Sequence, residues 1–136
     1  MEDSRKAIFE RMKHSIQLLA SPSDIQLRLL PPYVCKADEL ALDFDHWRVV
    51  VLDNYERDLN LDQLSALKAL QEKLDWLTCD SKKHWTDEAI RTSPEWQGIR
   101  SLATSALQAF GWPVESPPSY ANEYISADQV RRHTEN

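Results

Sequence analysis

Leucine recurs at steps of three and four between Asn60 and Thr78, at Leu61, Leu64, Leu67, Leu70, Leu74 and Leu77. That spacing marks one side of an α-helix. At about 100° per residue, Leu67, Leu70, Leu74 and Leu77 fall within roughly 80° of one another. Asp62, Lys68, Glu72, Lys73 and Asp75 take other faces. Asn60 is a favourable N-cap, and Gln63 stands where a capping box wants Glu or Gln. The pattern predicts a helix over Leu61–Thr78 whose apolar side needs other helices to cover it.

The same period appears elsewhere. Ile8, Phe9, Met12, Ile16, Leu19 and Ala20 predict a helix over Arg5–Ala20, with Arg5, Lys6, Arg11 and Lys13 beside the stripe as a solvated rim. Leu40, Phe44, Trp47, Val51 and Tyr55 predict a second helix over Ala37–Arg57. A strand signal in the β-branched run Trp47–Leu52 competes with it, but the four-three spacing begins before that run and continues beyond it. Asp58-Leu59-Asn60 is so short a connection that the helices on either side should be antiparallel neighbours. Trp96, Ile99, Ala103, Ala106, Leu107 and Phe110 predict a helix over Pro94–Phe110. Ser93-Pro94 is its start, Gly111 its left-handed stop, and Leu107 and Trp112 are the pair that meets in a Schellman ending. Short helices are expected near Pro22–Leu29, with Ser21 as cap, and Asp87–Arg91, with Thr86 as cap. Cys79–His84 reads as a polar loop.

After Trp112, Pro113, Pro117 and Pro118 predict an extended segment, with Tyr120, Tyr124 and Ile125 folding back as a strap and Val130–Asn136 frayed. The expectation is an all-α fold: a compact bundle of four main helices plus short helices and a Pro-rich C-terminal strap. Residues 1–118 form a single helical domain, and 119–136 a tail that is partly ordered at best.

Charge changes this picture. The net charge is −6, and between Asp38 and Asp80 eleven acidic residues face only four basic ones. Phosphate would be repelled from that segment, so nucleic acid is not expected as a partner and a basic protein is. Two glycines in 136 residues argue against a glycine-rich phosphate loop. The longest uncharged apolar run, Val49–Leu52, is too short to cross a membrane, and the N-terminus lacks the apolar run of a signal peptide. Cys35 and Cys79 match no metal-knuckle spacing and read as reduced thiols, buried or idle, in a cytoplasmic protein.

Candidate chemistry is sparse. Glu39, Asp43 and His46 stand at i, i+4 and i+7 on the second helix, and Asp43-x-x-His46 has the carboxylate-x-x-His spacing of helix-bundle metal sites. Such sites draw ligands from several helices, and the partner helix offers Glu72 and Asp75 but no His. A solvated acidic rim is the alternative. No spacing pairs a cysteine with His14, His46, His84 or His133, and Ser21 and Ser93 read as caps, so neither catalysis nor a cofactor is expected. Of the five Trp, Trp47 and Trp96 lie on core stripes. Trp76 falls about 100° from the leucine face and Trp85 lies at a loop–helix junction, so these two are candidates for a partner contact.

The strings Asp38-Glu39-Leu40-Ala41-x-Asp43-Phe44-Asp45-His46-Trp47, Leu61-Asp62-Gln63-Leu64, Trp85-Thr86-Asp87-Glu88-Ala89-Ile90 and Pro94-Glu95-Trp96-x-x-Ile99-Arg100-x-Leu102-Ala103 resemble a set of small uncharacterised bacterial proteins. In size, acidity and helix content they resemble the immunity proteins that neutralise bacterial toxins. The resemblance spans Val34 to Trp112 and carries over no catalytic or binding residue. The acidic segment between Asp38 and Asp80, next to a helical hairpin carrying Trp76, points to a non-catalytic protein-interaction module of unknown partner, an immunity-like inhibitor of a basic toxin being one form. The alternative is a metal-binding helical protein using Glu39, Asp43 and His46. Residues expected to meet a protein partner are Glu39, Asp43, Asp45, Asp53 and Glu56, with Trp76 and Trp85. A homodimer is compatible with either reading.

Overall fold

The computed structural model describes residues 2–118. The expected fold-back of Tyr120, Tyr124 and Ile125, the frayed end and the tail 119–136 lie outside the described residues. Six helices follow in order: α1 (Glu2–Ala20), α2 (Ser23–Leu29), α3 (Lys36–Tyr55), α4 (Leu61–Asp80), α5 (Asp87–Thr92) and α6 (Pro94–Phe110). Single 3-10 turns at Glu56–Asp58 and Lys82–His84 join α3 to α4 and α4 to α5. The fold is all-α, with no strand among the described residues. Trp47–Leu52 is helical throughout: the helical period overrides β-propensity because it places Phe44 and Val51 in the core together.

The ends of the helices follow local chemistry. Asn60 Oδ1 accepts from the Gln63 N–H at 2.8 Å, and Gln63 Oε1 accepts from the Asn60 N–H at 2.9 Å, a complete capping box on α4. Ser93 Oγ accepts from the Glu95 and Trp96 N–H groups, with Pro94 in the first turn of α6. Gly111 stops α6 at φ 68°, a left-handed conformation that glycine adopts without a Cβ penalty. Its N–H reaches Gln108 O and the Trp112 N–H reaches Leu107 O, the two bonds of a Schellman ending. Trp112 then stacks on Phe110, with centroids 4.3 Å apart.

Ser21 departs from expectation. It does not cap α2; its hydroxyl donates 2.7 Å back to Gln17 O on α1, and Pro22 holds the cap position without a side-chain bond. The end of α1 is closed instead by Gln26, which is fully buried and whose Nε2 donates to Leu18 O and Leu19 O. Gln26 Oε1 accepts from Arg100 of α6, and the same guanidinium donates to Ile90 O of α5. Four helices thus meet at one polar node whose groups are satisfied inside the protein.

Leu67, Leu70, Leu74 and Leu77 are buried on α4, whereas Leu61 is 80% exposed beyond the edge of the core. The leucine face packs mainly on α6, α6 packs also on α1, and α1 packs on α3. The Lys73–Glu95 and Gln63–Ala109 contacts make α4 and α6 antiparallel. The short connection turns α3 back against α4, and the two touch only sparsely. They are bridged by Arg48, which donates to Asp45 of its own helix and to Gln71 of α4, while Gln71 donates to Asp75. Trp47, expected in the core, is half-buried at its edge.

Leu70 has no exposed surface, so Leu70→Ala should lower unfolding free energy by about 2–5 kcal/mol. Asn60→Ala should cost only about 1 kcal/mol. Urea titrations of the two variants read the difference, and the opposite order would refute the leucine face as the centre of the core.

Candidate functional site

The acidic residues of α3 do not share one environment. Asp53 and Glu56 are exposed, while Glu39 and Asp45 are half-buried. Asp45 is held 2.7 Å from Arg48 yet keeps much of its side chain in water. Asp43 was expected to project; it is half-buried. Burial raises its pKa to about 6, with the Glu39 charge adding to the rise; a hydrogen bond from the Trp47 side chain and the charge of Arg11 oppose it. The cause is rotational position: residue 43 lies next to buried Phe44, on the flank of the stripe that α1 covers.

That inward turn also separates the proposed metal ligands. His46 is exposed, its ring edge-on to Trp47 with centroids 4.6 Å apart. Among the described residues, no group of three or more His, Cys, Asp or Glu side chains could hold a metal ion. Glu39, Asp43 and His46 share a side of the helix by spacing, but their side chains do not gather at one point. Cys35 and Cys79 are free and exposed, not buried. Two cations of α1 are held by acids: Arg5 pairs with Asp58 at 3.1 Å and Lys13 with Glu10 at 2.7 Å.

A second region forms where α4, the turn after it and α6 meet. Trp76 is 47% exposed although it has neighbours on two sides. Lys73 Nζ lies 4.5 Å from the centre of its ring, and the His84 ring is 5.7 Å away. Lys73 is held in turn by Glu95 at the start of α6. His84 is buried, contrary to the expected polar loop; its Nε2 lies 2.7 Å from Asp80 Oδ2, and its backbone carbonyl accepts from the buried Trp96 indole at 2.7 Å. Trp85 tilts against Trp96 with centroids 5.8 Å apart and is half-buried. Trp76 and Trp85 therefore flank one unit, in which His84 and Trp96 form the interior.

The sequence signals for this region were partial. Lys73 with Trp76 (i, i+3) and Asp80 with His84 (i, i+4) have the spacing of neighbours on a helix face. Glu95 and the Trp96–His84 bond join distant stretches of chain and carry no local signature. Comparison with known proteins finds no matching family, no similar curated protein and no similar solved structure. Among the described residues, no helix is long and apolar enough to cross a membrane.

The Asp43 environment sets a pH dependence. An unfolded Asp titrates near about 3.9. Between that value and about 6 the folded protein holds the extra proton, so this group's stabilising contribution is present below the unfolded pKa and is lost as pH rises through about 6. A shift of this size corresponds to at most about 3 kcal/mol, and to on the order of 1–2 after solvent screening of a half-buried site. Asp43→Asn should therefore stabilise the protein at about pH 7.5 and flatten its urea stability between about pH 4.5 and 7.5. A variant less stable than wild type at the higher pH would mean that attraction to Arg11 outweighs burial.

Proposed function

We propose that this chain is a non-catalytic protein-interaction module of the bacterial cytoplasm, with immunity-like inhibition of a basic toxin as its particular form. The observation that carries the reading is Trp76, an exposed indole already ordered by Lys73 and His84. An interface anchor held in place before binding loses little side-chain freedom on association, and Trp is prominent among residues that dominate binding energy. The long helices act as one bundle scaffold, with residues 113–118 as a strap; the Gln17 side chain donates 3.1 Å to Pro113 O in support of that docking. Asp53 and Glu56, and the water-facing parts of Glu39 and Asp45, supply the field that steers a basic partner, while Asp43 has a structural part.

Trp76→Ser is the test, on the full chain immobilised against a native bacterial lysate and then against the purified partner so identified. We expect the partner to be basic and its affinity to fall by about thirtyfold or more, as for an interface anchor. The melting temperature should barely move, because the indole is half in water. An acidic partner, or one bound equally well by the variant, would remove this reading.

A further inference from the structure

The outer face of α3 combines exposed apolar and acidic side chains in a regular order. Leu42 is 58% exposed and Val49 39% exposed, seven residues and thus two helical turns apart on one side. Asp38, Asp45, Asp53 and Glu56 continue or flank that line. The cations of α3 are directed into the fold: Lys36 Nζ donates 2.7 Å to Leu27 O, and Arg48 is shared between Asp45 and Gln71. Arg57, just past the helix, is the exposed cation at its end. α1 packs along the opposite side of α3, and α4 and α5 touch it only sparsely, so this ridge stands clear of the main core contacts.

We propose that the ridge Asp38–Leu42–Asp45–Val49–Asp53 receives a basic amphipathic helix of a partner protein, lying along α3. The proposal rests on the protein-interaction reading above and specifies the partner's contacting element. Apolar residues at i and i+7 offer the incoming helix a seam two turns long, as at a helix–helix packing line. The acids beside the seam, Asp38 and Asp53 foremost because Asp45 is already paired with Arg48, match Lys or Arg flanking an apolar stripe and disfavour an acidic or neutral helix. A single strand or loop would not keep register with two contacts two turns apart on a straight helix. A second copy of this chain would set the same acids against each other, which the charge pattern opposes.

The experiment uses the full chain and a labelled synthetic peptide of about 18 residues, five helical turns long, with a leucine stripe flanked by lysine and arginine. A scrambled peptide of the same composition, without the stripe, is the control. Fluorescence anisotropy should show the amphipathic peptide binding at least about tenfold more tightly than the scrambled one. Leu42→Ser with Val49→Ser should remove that advantage. Asp38→Lys with Asp53→Lys should weaken binding and reduce its salt dependence. Circular dichroism and melting should be close to wild type in both, since all four side chains are exposed. Amide protection on binding should map to α3. Equal binding of the two peptides, no binding, or protection confined to the Trp76 region would each overturn the proposal. Loss of native-partner binding in Trp76→Ser alongside unchanged binding in the α3 variants would refute the ridge while leaving the interaction reading in place. Peptide binding along α3 with a Trp76-independent partner would do the reverse.

Discussion

Helix α6 has one apolar face and must satisfy three neighbours with it, α1, α4 and α5. It does so by alternating bulk. Trp96, Ile99 and Leu107 fill volume, while Ala103 and Ala106, both fully buried, leave room for adjoining helices to approach. Placing Trp96 in the interior requires a partner for its indole N–H, since an unpaired buried donor costs about 1–3 kcal/mol. The His84 carbonyl supplies it. That bond brings the turn after α4 against α6, and with it His84, Asp80 and the base on which Trp76 rests. The packing of one helix thereby sets the geometry of the exposed indole.

Much of the fold was readable because its signals are local. Capping side chains, the glycine stop and the period of the stripes act over a few residues, and Asn60, Ser93, Thr86 and Gly111 do what their positions imply. Ser21 was misjudged because a serine between two helices has two backbone choices, and α1 offered a carbonyl at the right distance. Helix adjacency was less readable. Loop length fixed the direction of α3 relative to α4, but the direction of the leucine face fixed which helix α4 would bury against, and that was α6.

The candidate site was legible in part for the same reason. The helical wheel identified Trp76 as lying off the apolar face, and the indole is exposed. It could not show that Lys73 would be drawn to Glu95 and still cover the ring, because that depends on the α4–α6 register. Charge counting grouped Asp43 with the other acids of α3. Tertiary packing half-buries it and raises its pKa, which no count of charges shows. The polar node of Gln26 and Arg100 was equally out of reach, since the bond that joins the two spans 74 residues of chain.

Helix α1 lies against α3 and α6, and Gln17 reaches beyond both to Pro113, 96 residues later. Helix α1 is therefore finished only after the chain through α6 has been made. On a ribosome adding about 5–20 residues per second, roughly 90 residues separate the end of α1 from the end of α6, a delay on the order of 5–20 s. During that interval the surface of Met12, Ile16 and Leu19 lacks α6, one of its two main partners. A chaperone that recognises short apolar stripes with basic flanks would find one in α1 while that face waits for α6.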